Sequence, residues 1–190
     1  MTKFNLAIIV GSNRRESINR KLAQALAKLG GSAFEPHFLR IDDLPMFNQD
    51  LEGNLPAEVV RFKNELASAD AVLIVTPEHD RSIPAVMKNA VDWGARPYGK
   101  NSWAGKPTLI TGTSPGAIGT AVAQQHLRSI MVSLGTVLHS GEAYITFKPG
   151  LIDAEGNVGD ESTRKFLQDH LDRFASLVRR LSAQPASSAE

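Results

Sequence analysis

Three features of this 190-residue sequence predict a doubly wound α/β fold, a parallel sheet covered by helices on both faces. Short β-branched apolar runs alternate with longer amphipathic stretches. Several of those runs are apolar throughout, as strands buried on both faces are. Prolines and a glycine pair fall at the joins, where helices start and stop.

The first run, Phe4–Val10, reads as a strand. A helix follows with Leu22, Ala25, Leu26 and Leu29 at helical spacing, ended by Gly30-Gly31. A second strand is expected around His37–Ile41. Pro56 suits a helix start, and Val59, Phe62 and Leu66 line one face of that helix. Ala71–Val75 is the most strand-like segment, and Pro84 opens a short helix reaching about Trp93. Thr108–Thr111 is a fourth strand, followed by a helix from Gly119 to Leu134. Thr136–His139 and Tyr144–Phe147 are expected to share a fifth, interrupted strand position. A last helix, Ser162 to Leu181, is expected to bury Phe166, Phe174, Leu177 and Leu181. Residues 1–182 then form one domain, and the tail 183–190, which lacks apolar anchors, is expected to be disordered.

Composition narrows the class of function. Apolar residues make up 42% and charged residues 22%, the balance of an ordinary globular chain. A net charge of +1 argues against nucleic acid as the main partner. The absence of cysteine excludes disulfides, thiolate metal sites and thiol nucleophiles. No apolar run is long enough to cross a membrane, and no leader peptide is read at the N-terminus, so a cytoplasmic protein is expected. His37, His126, His139 and His170 lack metal-ligand spacing, and no metal is expected.

Doubly wound sheets bind ligands beyond the carboxyl ends of their strands, so the loops after strands one, three and four carry the argument. The first reads Gly11-Ser12-Asn13-Arg14-Arg15-Glu16-Ser17-Ile18-Asn19. It brings hydroxyls, an amide and an arginine to a helix N-terminus, where free N–H groups favour an anion. It is neither a dinucleotide fingerprint nor a P-loop. It suits the phosphate of a mononucleotide, or else Ser17 or Ser12 simply caps the helix. The second loop, Thr76–Pro84, is stiffened by two prolines and carries His79 beside Asp80, a pair that is either acid–base machinery or ordinary surface. The third, Gly112–Gly119, matches the G-x-S-x-G of a hydrolase nucleophile elbow around Ser114. Pro115 counts against that reading, because an oxyanion hole needs the N–H that proline lacks. His170 also lies in a helix and not in a loop. Read instead as a glycine-rich turn, Ser114 and Gly116 can approach a flat ring closely.

Taken in order, GS-x-R-x-x-S-x-N, Asp43-Leu44-Pro45, P-E-x-x-x-S-x-P, Lys88–Trp93, Arg96-Pro97-Tyr98-Gly99, Ser114–Gly119 and Glu142–Ile145 resemble the NADPH-dependent FMN reductase family, in its bacterial quinone, chromate and ferric reductase branch. The resemblance implies a flavodoxin-like fold with five parallel strands. It implies bound FMN, NADPH or NADH as electron donor, and ping-pong hydride transfer to quinones or other small acceptors such as chromate, ferric complexes, azo compounds or free flavin. It places Ser12, Arg14, Ser17, Ile18 and Asn19 on the FMN phosphate side, Pro77, Glu78, His79 and Asp80 around the ring, and Ser114 and Gly116 at its other edge. It further implies a homodimer or homotetramer, with the Asp43–Asp50 loop and the Pro84–Trp93 helix near the contact. Arg81 and Arg96 are candidates for holding an anionic substrate or the pyridine nucleotide's phosphates, with surface ion pairing as the alternative. The chain departs from the family in having His79-Asp80 for the usual Tyr-Asn and Ala85 for Gly. A carboxylate facing the ring's pyrimidine side would disfavour an anionic reduced flavin. An electron carrier of flavodoxin type and a flavin-free regulatory domain are the competing classes. A carrier generally stacks aromatics on its flavin, and Pro77–Ser82 contains no Phe, Tyr or Trp.

Overall fold

In the computed structural model, which describes residues 3–183, the run Phe4–Val10 forms strand β1. Leu6, Ile8 and Val10 face one apolar cluster, and Ala7 and Ile9 face another. Both faces are therefore covered, which is why the run shows no polar alternation. Ala71–Val75, as β3, is divided in the same way: Ala71, Leu73 and Val75 on one side, Val72 and Ile74 on the other. The remaining strands are β2 (Phe34–Phe38), β4 (Pro107–Ser114), β5 (Val137–Leu138) and β6 (Tyr144–Thr146). Their order is β2-β1-β3-β4-β5, and every pairing is parallel.

The fifth position is interrupted as expected. β5 pairs with Pro107–Thr108 at the start of β4, and β6 pairs with Gly112–Ser114 at its end. Thr111 Oγ1 and Thr113 Oγ1 donate to the carbonyls of Ala143 and Ile145 and carry the seam past the gap. From β1 the chain moves outward to β2, then returns to β3 and proceeds the other way, so a crevice opens beyond the carboxyl ends of β1 and β3.

Helices α1 (Ile18–Leu29) and α5 (Glu161–Ser182) cover one face. α2 (Ala57–Ser68), α3 (Ala85–Ala95) and α4 (Ala121–Ser133) cover the other. Pro56 and Pro84 stand immediately before α2 and α3, where a missing N–H costs nothing. Lysine ammonium groups close two helix ends: Lys63 Nζ donates to the Trp93 and Gly94 carbonyls, and Lys106 Nζ to those of Ala67 and Ala69.

Two expectations are corrected. β2 spans Phe34–Phe38, three residues earlier than the pattern indicated. Phe34 is held under Gly30 and stacked on Phe174 at 5.6 Å, while Leu39 and Ile41 are buried in the loop beyond the strand, within the opposite cluster. On α5 the buried face runs through Leu167, His170, Leu171, Phe174 and Val178, leaving Phe166 exposed. The expected disordered tail lies outside the described residues apart from Ala183, which caps α5. Among the described residues no helix is long and apolar enough to cross a membrane.

Candidate functional site

The loops after β1, β3 and β4 converge on a cleft of about 580 Å³, within the usual range for small-ligand sites. Gly11, Ser12, Asn13, Arg14, Ser17, Ile18 and Asn19 form one wall. Pro77, Glu78 and His79 form a second with Pro84, Ala85 and Val86, and Thr113, Ser114 and Pro115 close the third.

The first wall begins where Gly11 N–H bonds the Val75 carbonyl at 2.9 Å, tying the end of β1 to β3. Ser17 is the N-cap of α1, its hydroxyl accepting from Arg20 N–H at 3.2 Å, so the capping reading of this serine holds. Ser12 Oγ accepts from Arg14 N–H at 3.4 Å. The N–H groups of Ile18 and Asn19 find no acceptor among the described residues, leaving the N-terminus of α1 free to meet an anion. The Asn19 side chain is engaged within the protein. Its buried amide donates to the Thr113 carbonyl and accepts from Thr113 N–H, both at 2.9 Å, and so sutures the first loop to β4.

The second wall is fixed from two directions. Glu78 Oε2 accepts from Val122 N–H (3.0 Å) and Ala123 N–H (3.1 Å), capping α4, whose own N-cap Thr120 makes no side-chain capping bond. His79 and Ser82 exchange both backbone hydrogen bonds, 3.0 and 2.8 Å, around a two-residue turn. Its residues Asp80 and Arg81 have φ of 48° and 63°. That is the primed hairpin geometry usually given to Asn-Gly. Asp80 sits at the exposed tip and does not line the cleft, so its carboxylate is not on the wall where the sequence placed it. Arg81 also projects outward, 3.5 Å from Glu78. Arg96 is held by Glu52, Nε to Oε1 at 2.6 Å, and lies outside the cleft.

On the third wall β4 passes so close beneath the second loop that a Cβ at Gly112 would stand 2.0 Å from the Thr76 carbonyl oxygen. Only glycine fits there. Ser114 Oγ donates to the Gly119 and Gly116 carbonyls. Gly116 shapes this turn from behind and does not line the cleft. A hydrolase triad is not assembled: His170 is buried in α5 against His139, with ring centroids 4.8 Å apart.

Nine of the eleven residues expected at the cofactor line the cleft, and Asp80 and Gly116 do not. The sequence reading missed Gly11, Asn13, Thr113 and Pro115, which adjoin named residues, and the start of α3 at Pro84–Val86. The last had a signal: a helix that begins after the most buried strand must open toward the crevice.

The family profile described as NADPH-dependent FMN reductase matches residues 4–149. The chain belongs to that family. It is 49% identical over 177 residues to a 2-hydroxy-1,4-benzoquinone reductase of Burkholderia, a match covering 93% of this chain and 97% of that one. A quinone reductase of Pseudomonas putida is 46% identical, with 93% and 95% covered. Among solved structures, the flavoenzyme NAD(P)H:(acceptor) oxidoreductase FerB of Paracoccus denitrificans superposes with a TM-score of 0.90 at 46% identity, covering 93% of this chain and 98% of that one. As a member of the FMN reductase family the chain is a flavodoxin-like oxidoreductase that uses FMN and NAD(P)H.

The cleft fits that cofactor. Unpaired N–H groups at the start of α1, the Ser12 and Ser17 hydroxyls and Arg14 form a donor set for a phosphate. Pro77, Pro84, Ala85 and Val86 offer apolar walls for a flat ring.

Proposed function

We propose that this chain is an FMN-dependent NAD(P)H:quinone oxidoreductase. The observation that carries the reading is the cleft at the free N-terminus of α1, continuous with apolar walls from the second and third loops. FMN, when bound, supplies the hydride chemistry. The chain supplies the rest. Ser12, Arg14 and the N–H groups of Ile18 and Asn19 hold the phosphate. The Pro77–His79 segment and the start of α3 flank the ring, and Ser114 stands toward its other edge.

Quinones are favoured as acceptors by the relatives named for them, the Burkholderia and Pseudomonas putida enzymes. An enzyme is favoured over a carrier because the cleft wall after β3 presents no aromatic ring but the imidazole of His79, leaving one face of the flavin open to nicotinamide. We also take residues 1–182 to act as one cytoplasmic domain that associates into a homodimer or homotetramer. Met46 at 73% exposure, on the Asp43–Asp50 loop expected at the contact, and Tyr98 at 90%, just beyond the Pro84–Trp93 helix, support that association.

FMN affinity of the apoprotein, read by quenching of flavin fluorescence, tests the cradle. Arg14→Ala removes an exposed cation that caps nothing, and should weaken FMN binding by roughly tenfold without disturbing the fold. Unchanged affinity, or no affinity in the parent, would contradict the assignment.

A further inference from the structure

Resting on the quinone reductase reading, we propose that His79 is a catalytic residue, donating the proton that converts the reduced quinone oxygen to a hydroxyl. The residue is presented over the cleft by a turn whose geometry its own sequence disfavours. Asp80 and Arg81 both occupy the left-handed region, which aspartate tolerates but in which arginine is strained. The turn persists because it is anchored on each side. His79 and Ser82 close it through paired backbone bonds, Ser82 Oγ meets His126 Nδ1 at 3.2 Å, and Glu78 pins the chain just before it to α4. Strain held at the edge of a cleft marks a residue whose placement matters.

The titratable and charged groups around His79 are Glu78, Asp80 and Arg81 on its own loop, His126 from α4, and Arg14 across the cleft. Of these five, Arg14 and Glu78 line the cleft, as His79 does. Arginine does not release a proton. The Glu78 carboxylate is engaged as an acceptor at the start of α4. The His79 imidazole makes no hydrogen bond among the described residues and remains open to solvent. It is thus the one cleft side chain free to pass a proton on both sides, with substrate and with water.

The stoichiometry calls for a proton that such a group can deliver. Reduction follows NAD(P)H + H⁺ + quinone → NAD(P)⁺ + hydroquinone. Hydride carries two electrons and one hydrogen, and the second hydrogen arrives as a proton on oxygen. The N–H bond of the His79 imidazolium breaks as the O–H bond of the hydroquinone forms, and the H⁺ of the equation, taken from bulk solvent, then reprotonates the ring.

The test compares His79→Gln and His79→Phe with the parent holoprotein, using benzoquinone and ferricyanide as acceptors. Ferricyanide takes electrons without a proton. The ratio of quinone to ferricyanide turnover should fall roughly 100-fold in both variants. An equilibrium readout accompanies this: hydroquinone binding to the oxidised holoprotein, followed by the flavin spectrum, should weaken several-fold. A parallel fall with both acceptors would make His79 a support of the flavin and overturn the proposal, as would an unchanged ratio. FMN titration of each apoprotein separates the two levels of failure. A parent that binds no FMN overturns the quinone reductase reading itself; a parent that binds FMN and turns over quinone, beside variants with unaltered ratios, overturns only the role of His79.

Discussion

At the scale of single residues the cleft walls are held in place by side chains bonded to neighbouring backbone. Glu78 caps α4, and Asn19 bridges two loops through the backbone of Thr113. Their polar groups are engaged with neighbouring backbone before any ligand arrives. Glu78→Ala leaves two N–H groups of α4 without their acceptor and should cost about 1 to 2 kcal/mol of stability. Glu78→Gln keeps an acceptor and should cost less. Urea denaturation of the two variants checks the order, and equal losses would contradict the capping role. Residue types at this scale were legible, but their tasks were not. Nothing in the spacing of Asn19 distinguishes a donor to phosphate from a strut, because its partner Thr113 lies 94 positions away. Asp80 was misplaced for a related reason: the turn that carries it outward depends on paired bonds between His79 and Ser82.

At the scale of elements, the seam between α5 and the fifth strand position holds two buried histidines. His139 and His170 are buried, and neither imidazole Nε2 finds a hydrogen-bond partner among the described residues. Burial, then the neighbouring His139, then the charges of Arg173 and Arg128 push His170 from 6.5 down to about 4. Burial and the same two arginines lower His139. A histidine depressed in the folded state stays neutral there while the unfolded chain takes up a proton, so stability is lost as pH falls. The window opens near the ordinary histidine value and closes near 4. Between pH 7 and 4 this residue should cost the fold up to about 3 kcal/mol. His170→Leu should flatten the pH dependence of the urea midpoint, and a curve parallel to the parent's would refute the assignment. Elements with one dominant determinant were readable from sequence: β1 and β3 match their apolar runs end to end. β2 was not, since an edge strand containing Pro36 has one neighbour and a weak pattern, and the burial of Leu39 and Ile41 imitates a strand. Phe166 was taken for core because periodicity gives a helix's apolar stripe but not its centre, which His170 shifts by one position.

At the scale of the whole molecule, strand order brings together residues from three distant stretches of chain. The reversal between β1 and β3 opens the crevice, and the free end of α1 gives it positive potential where a phosphate would enter. This architecture was readable because alternating buried strands and amphipathic helices admit few connections. The measurement that bears most directly on the proposed chemistry is spectroscopic. The purified chain, reconstituted with FMN and kept anaerobic, should be yellow, bleach rapidly on addition of NADH or NADPH, and regain its colour when a stoichiometric quinone is added. A chain that takes up no FMN, or a yellow one that neither pyridine nucleotide bleaches, would contradict the account.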